Sequence, residues 1–345
     1  MTLLFADGFD IYADRADVGQ TGWFTNNASL DLSTTGGRFG GGCLTATVAN
    51  NWRCPAVVPI GSTVIICFAY YFNNLPNSTS TFRALVGGST QGDGRLFSVE
   101  SNNTGAMRCF GQSGQVGSDV SDVFVDQTWQ WIEVKVVLGT TASNGSLEVR
   151  VDGVTKFSET GIDTFNNSNS ILNSLYFTGR AGGGVRIDDV IIMDGNGSTM
   201  NDYIGNARID TLIPNSNGTE DDWVASAGSQ YQCLDDVIGG SNDNTDYVYL
   251  DSPGLLDLQM SNIVGNPATI YAVQTRTRVS KSDVGVRTFR TNLLSSASTA
   301  NGLTKGFPIG YSWLRNGIFE KDPNGDVAWT KAAVDALQIQ LEMLS

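Results

Sequence analysis

The run WQWIEVKVVLGTTASNGSLEVRVDG, residues 129–153, carries the reading of the fold. Ile132, Val134, Val136 and Leu138 recur at every second position, and so do Leu147, Val149 and Val151. Each set therefore lies on one face of an extended strand. The opposite face carries Trp129, Trp131, Glu133 and Lys135 against Glu148, Arg150 and Asp152. One face is expected on a core and the other in water, as in an antiparallel sheet of a sandwich. Asn144-Gly145 is expected to supply the positive φ values of the connecting turn.

Outward from this hairpin, similar runs follow one another. Leu3 to Phe5 reads as an entry strand, and glycines 36, 37, 40, 41 and 42 mark turns. Thr63 to Phe72 is apolar at nearly every position, so it is expected to be central and covered twice, by the partner sheet and by a loop or a neighbouring subunit. Leu96 to Glu100, Met107 to Phe110, Leu175 to Thr178 and Val185 to Met193 complete the set, with Val116 to Val125 as a polar loop or edge strand. The expected architecture is all-β: a jelly-roll sandwich over residues 1–197, closed by the glycine-rich Asp194-Gly195-Asn196-Gly197-Ser198, then a second small β-sandwich over 198–328. Its strands are expected at Tyr247 to Leu250, Leu255 to Met260, Ile270 to Val279, Thr288 to Leu294 and Tyr311 to Leu314. In the longest, Tyr271, Val273, Thr275, Thr277 and Val279 share the inward face.

Residues 329–345 break the alternation. Thr330 is a good N-cap, and Val334, Leu337 and Leu341 recur at helical spacing, which predicts a short amphipathic helix from Lys331 to about Met343. At roughly a dozen residues it needs an apolar surface on which to dock.

Length and composition bound the rest. The 345 residues suit two domains. Thirty-five acidic against 21 basic residues leave a net charge of −14, which opposes attraction to nucleic acid or anionic lipid. Arg276, Arg278, Lys281, Arg287 and Arg290 are expected as a basic stripe across two strands, for contact with a partner. Cys43, Cys54, Cys67, Cys109 and Cys233 are odd in number and lack CxxC spacing, which points to reduced thiols and assembly in a cytoplasm. MTLLFADGFD has no basic n-region, so it does not read as a secretory signal. No apolar stretch approaches the roughly 20 residues of a membrane helix. Triplets such as Asn77-Ser78-Thr79 are expected by chance in so Asn- and Ser-rich a chain.

W-x-W-I-E-V-K-V, S-L-E-V-R-V-D-G and V-R-I-D-D-V-I-I-M-D resemble the laminin-G-like and concanavalin-A-like jelly rolls. The opening F-A-D-G-F-D is similar to the first strand of such domains in tailed-bacteriophage structural proteins, and W-T-K-A-A-V-D-A-L to a tail on phage virion proteins. The resemblance covers the first domain and the terminal segment and hardly touches the middle of the second domain. It implies a non-enzymatic virion structural protein, a tail fibre, tip or baseplate component or a head decoration protein. Assembly as a homo-oligomer among other virion proteins goes with it, as does contact with host glycans. A free lectin module and a glycoside hydrolase are the alternatives.

Histidine is absent, which removes the usual neutral-pH base and the histidine-dependent triads and zinc sites. Enzymes of the concanavalin-like fold place their acids in an E-x-D-x-x-E run, which this chain lacks. Glu148 and Asp152 would stand about 13 Å apart along a strand, beyond the carboxyl separations of glycoside hydrolysis. The chain is therefore expected not to be an enzyme. Trp129 and Trp131 are the expected contact for a sugar or a protein partner, unless a loop folds over them. Asp188 and Asp189, adjacent and hence on opposite strand faces, either bond backbone amides or Arg186, or hold a calcium ion as laminin-G-like domains do. Asp7 and Asp10 are open to the same readings. No other cofactor is expected.

Overall fold

In the computed structural model Trp129–Val137 pairs antiparallel with Gly145–Val151, placing Ile132 opposite Val151 and Val136 opposite Leu147. The structure describes residues 2–25, 30–46, 51–54, 58–59, 62–75, 82–88, 95–102, 104–165, 171–172, 174–178, 184–197, 199–236 and 244–345. The triplet at 77–79 and Ser198 lie outside them.

Thr63–Phe72 pairs along nearly its whole length with Trp129–Val137 on one edge and, across a bulge, with Val185–Asp194 on the other. It is the middle of a sheet that runs Val154–Ile162, Gly145–Val151, Trp129–Val137, Thr63–Phe72, Val185–Asp194, Cys43–Ala46 and Leu30–Ser33, with Leu3–Asp7 also on Val185–Asp194. A second sheet runs Gly114–Val120, Met107–Gly111, Arg95–Ser101, Phe82–Gly88, Ser174–Thr178, Asn51–Cys54 and Phe24–Thr25. The chain crosses between the sheets in blocks: the strands from 82 to 120 all lie in the second sheet, those from 129 to 162 all in the first, and Ser174–Thr178 and Val185–Asp194 return to the second and then the first. Phe68 of the first sheet meets Phe177 of the second with centroids 5.1 Å apart, and Trp23 closes on Phe177 at 5.9 Å. Trp52, Phe97, Val99, Cys109 and Leu175 share this buried layer, whose apolar burial is the main stabilising contribution.

The turn expected at Asn144-Gly145 is built differently. Neither residue has a positive φ; the loop is held by Asn144, whose Oδ1 accepts from Thr141 N–H and whose Nδ2 donates to Thr140. The positive φ values fall at Asp152 (50°) and Gly153 (78°), in a two-residue hairpin from Gly145–Val151 into Val154–Ile162. Asp-Gly suits that turn because both of its central residues need the left-handed region.

The first compact unit is Met1–Ile209 and the second Asp210–Ser345, so the expected boundary at 197 moves twelve residues later (209 − 197). Residues 199–209 belong to the first unit because their backbone satisfies polar groups on the outer face of its first sheet, as described below.

In the second unit a six-stranded sheet runs Pro214–Asp221, Gly254–Met260, Gln338–Met343, Thr288–Ser295 and Ser298–Ala300, with Lys305–Gly306 also on Thr288–Ser295. A two-stranded ribbon, Val273–Val279 with Ser312–Phe319, packs on it through Thr277, Thr291 and Asn316; the two threonine hydroxyls are 2.8 Å apart and Asn316 Nδ2 donates to both. Thr275 and Val279 are buried, as the alternation predicted.

The terminal helix is corrected. It spans only Lys331–Asp335, capped by Thr330 Oγ1, and Gln338–Met343 is a strand between Gly254–Met260 and Thr288–Ser295. The apolar spacing served two elements at once. Val334 and Leu337 join Leu293 and Trp329 in one cluster, while Leu341 and Met343 join Trp223, Leu256 and Leu258 in another. Residues 329–345 thus complete the second unit's own core, and Val334, Leu337 and Leu341 are not a surface for a partner.

Candidate functional site

The face that carries Trp129 and Trp131 is closed by the chain itself. Glu133 Oε1 accepts from Ile204 N–H and Gly205 N–H, each at 3.0 Å, and Gly205 adopts φ 71°, which turns two successive amides toward one oxygen. Arg150 stacks on Tyr203 at 3.6 Å, and Lys135 pairs with Asp202 at 3.0 Å. Trp131 is fully buried and Glu133 is 1% exposed. This segment is the second cover that the doubly apolar Thr63–Phe72 required. The expectation of a water-facing sheet with an exposed tryptophan pair is therefore corrected; Trp129 is half-buried against Tyr71 at 5.4 Å.

Asp188 and Asp189 do not alternate. A β-bulge follows Asp188, Asp189 takes φ 52°, and both carboxyl groups meet Arg38. Asp188 accepts from the Arg38 and Asp189 amides at 2.8 and 2.7 Å; Asp189 accepts from Ile209 N–H at 2.8 Å and pairs with the Arg38 guanidinium at 3.4 Å. Arg38 also donates to Ala207 O and Asn206. Burial pushes both carboxyl groups above the usual range, and the neighbouring Asp189 adds to the rise at Asp188. With protein donors on these oxygens, the pair does not fit a calcium ion, and among the described residues no three acidic or thiol side chains are arranged to hold a metal. Arg186, the expected partner, donates to Gly36 O and stacks on Tyr71. Asp7 accepts from Phe9 N–H, Tyr12 OH and Trp23 Nε1, and Asp10 from Gly42 N–H.

The basic stripe is divided. Arg276 and Arg278 lie on the two-stranded ribbon, Arg290 on the six-stranded sheet, and Arg287 in the preceding loop. Arg287 pairs with Asp283 at 3.2 Å, and Arg290 grips both oxygens of Glu342 at 2.6 and 3.0 Å. Those two arginines are thus engaged within the chain. All five cysteines are buried and free of disulfides. Burial pushes Cys43 up to about 12, and raises Cys67 and Cys109 as well, so these three are poor nucleophiles.

The outer face of the second sheet differs from all of these. Phe177, Leu175, Trp52, Phe97, Val99 and Cys109 point inward, so the residues between them point outward. Cross-strand register aligns Gln115, Phe110, Ser98, Val86, Tyr176 and Arg53 in one row across six strands, with Arg108 beside Glu100 in the next. Ser98, Glu100 and Tyr176 are buried, Tyr176 at 8% exposure, while Arg53, Arg95, Arg108 and Phe110 are half-buried and Gln115 is exposed. Arg53 stacks on Tyr176 at 5.8 Å and Arg95 on Phe110 at 4.8 Å. Arg95 also pairs with Glu100 at 3.5 Å, to which Ser98 Oγ donates at 2.9 Å. Arg108 donates to Asp119 at 2.9 Å and holds its carboxyl below the usual range. Arg95 and Arg108 are thus engaged within the chain, whereas the Arg53 guanidinium over the Tyr176 ring suits a polar ring-bearing ligand with negative charge.

None of these residues was singled out by the sequence reading. The available signal was the alternation Met107-Arg108-Cys109-Phe110 and Leu175-Tyr176-Phe177. Its polar partner Arg53 sits on a four-residue strand, Asn51–Cys54, too short to announce itself.

No family model and no curated protein matches this chain. Solved structures resemble it. An endo-β-1,4-glucuronan lyase from the fungus Trichoderma reesei is 11% identical over 56% of this chain and 95% of that one, with a TM-score of 0.42. The cellulose-induced protein Cip1 is 13% identical over 59% and 100%, with a TM-score of 0.41. A Trypanosoma rangeli sialidase is 13% identical over 50% and 30%, with a TM-score of 0.34. At these identities the likeness is one of fold, and the all-β sandwich agrees with it. Lyases and sialidases stand among these structures, which corrects the expectation that the chain is not an enzyme. That exclusion rested on missing histidine and on one carboxylate pattern, whereas tyrosine, lysine and arginine also move protons or stabilise charge.

Proposed function

We propose that the jelly-roll unit recognises a uronate-bearing polysaccharide along the outer face of its second sheet. The observation that carries this reading is the single cross-strand row in which Arg53 stacks on Tyr176, with Arg95 on Phe110 beside it. Aromatic faces bind the apolar sides of sugar rings, guanidinium groups take carboxylates in a bidentate fork, and the exposed Gln115 suits hydroxyls.

Titration of the full chain with oligogalacturonate, an acidic probe, and with dextran, a neutral one, tests it. Binding of the acidic oligomer, weakened about tenfold or more by Arg53→Ala and by Tyr176→Ala, is expected. Equal binding of dextran, or no effect of either substitution, would sink it.

One observation favours chemistry on the same face. The stacked Arg53 and Tyr176 supply the two groups that β-elimination at a uronate needs. The guanidinium neutralises the carboxylate, so the neighbouring C–H becomes more acidic, and the phenol oxygen exchanges the proton. As that proton leaves, a C=C bond forms, the glycosidic C–O bond breaks and the departing oxygen is protonated. Tyr176→Phe should then abolish release of unsaturated uronate ends, measured by ultraviolet absorbance, while binding persists. A place in a virion, as the resemblance of the jelly roll implies, is compatible with either activity, and mass spectrometry of purified particles tests it.

A further inference from the structure

The second unit carries an aromatic ledge that nothing above uses. Val224–Ala225 and Val248–Tyr249 form a two-stranded pair with Val224 opposite Tyr249. Val224, Tyr247 and Tyr249 remain 48%, 42% and 45% exposed, with the two tyrosine centroids 6.0 Å apart. The ledge is held in place from its backbone. Ser226 N–H donates to Tyr247 O at 2.9 Å, and Tyr247 N–H to Ser226 Oγ at 2.8 Å.

It continues onto the two-stranded ribbon. Arg278 stacks on Tyr311 at 4.7 Å and donates to Asn244 Oδ1 at 2.6 Å. Burial raises the Tyr311 phenol, and proximity of Tyr247 adds to the rise, which ties the ribbon to the tyrosine pair. Because Thr277 and Asn316 face the six-stranded sheet, Arg276 and Arg278 face away from it, and Arg276 stands directly opposite Arg315. Arg278 thus sets a guanidinium beside an aromatic ring on the face away from the sheet, in a chain of net charge −14.

We propose that this ledge is a second glycan site, in which uronate-bearing sugar rings stack on Tyr247 and Tyr249 and present a carboxylate to Arg278. The chemistry favours sugar over protein. One valine and two tyrosines on paired strands, with Tyr311 under Arg278, are narrow against the roughly 800 Å² per partner of a stable protein interface. They match the width of a chain of rings, and the cations at one end select an acidic chain. The inference does not depend on the site in the first unit.

Calorimetric titration of the full chain with the same oligogalacturonate separates the two sites. Two binding events are expected in the unaltered protein, and one in the Tyr247→Ala/Tyr249→Ala variant, whose exposed positions leave its thermal unfolding unchanged. Arg278→Gln should weaken the second event about tenfold for the acidic oligomer and leave a carboxyl-reduced oligomer unaffected. If Arg53→Ala/Tyr176→Ala removes all binding, the ledge is not a site and the first unit's reading stands. If that variant loses nothing while Tyr247→Ala/Tyr249→Ala removes everything, the ledge stands and the first reading falls. No binding by the unaltered protein overturns both. Tighter binding of single-stranded DNA at the ledge overturns the glycan assignment there.

Discussion

The two outer faces of the jelly roll start from similar residues and end in opposite roles. The first sheet carries Trp131, Glu133, Lys135, Arg150 and Asp188 on its outer face, and the second carries Tyr176, Arg53, Arg95, Glu100 and Phe110. On the first, residues 199–209 lie across the sheet and bond to Glu133 and Asp189, so its aromatic and charged groups act as core. On the second, arginines stack on aromatic rings across a row of strands. A tryptophan at an outward position therefore says little until its cover is known, since burial turns a binding residue into a packing residue.

Removing the cover should break the contrast most strongly. A chain ending at 197 is expected to unfold at markedly lower temperature than one ending at 209, because Trp131 and Cys67 lose their cover and Glu133 loses two donors; calorimetry of the two lengths measures it. Equal stability would show that the segment only rests on the sheet. Next in size, Trp131→Ala should cost about 3–5 kcal/mol in denaturant unfolding with no selective effect on oligouronate affinity. Arg53→Ala, at a half-buried position, should behave in the reverse way, losing affinity at little cost in stability.

A third test uses acidity. Burial raises Asp188 to about 8 and Asp189 to about 6, beside Asp10 and against Arg38. A carboxyl raised on folding holds its proton better in the native state, so its contribution is fully present below the unfolded value near 4. It is lost as pH rises through the folded values. Stability should therefore decline between about pH 4 and pH 8, and Asp188→Asn should flatten that decline. A slope unchanged by the substitution would place the ionised pair, held by Arg38, in the native state. The smallest effect is expected at Arg290→Ala, where the partly exposed pair with Glu342 is worth at most about 1 kcal/mol.

The alternation of Ile132, Val134 and Val136 against Leu147, Val149 and Val151 was enough to place two sheets and an all-β chain, because a strand buried on one face has a fixed period of two. Thr63–Phe72 was legible to the residue, along with its need for a second cover. The terminal segment misled because Val334, Leu337 and Leu341 satisfy helical spacing even though a chain break in direction falls between them. The site was hidden for a different reason. Arg53 and Tyr176 come from strands more than a hundred residues apart, on either side of the strands of Glu100 and Phe110, and nothing local marks them as neighbours.

By itself, then, the order of residues determined which side chains face a core, since that follows from backbone periodicity and the cost of wetting apolar surface. Only the tertiary structure decided which outward face a later segment covers, that residues up to 209 belong to the jelly roll, and which cations meet which rings. Those outcomes depend on contacts between segments as far apart as Arg53 and Tyr176, or Glu133 and Gly205, which no local pattern encodes.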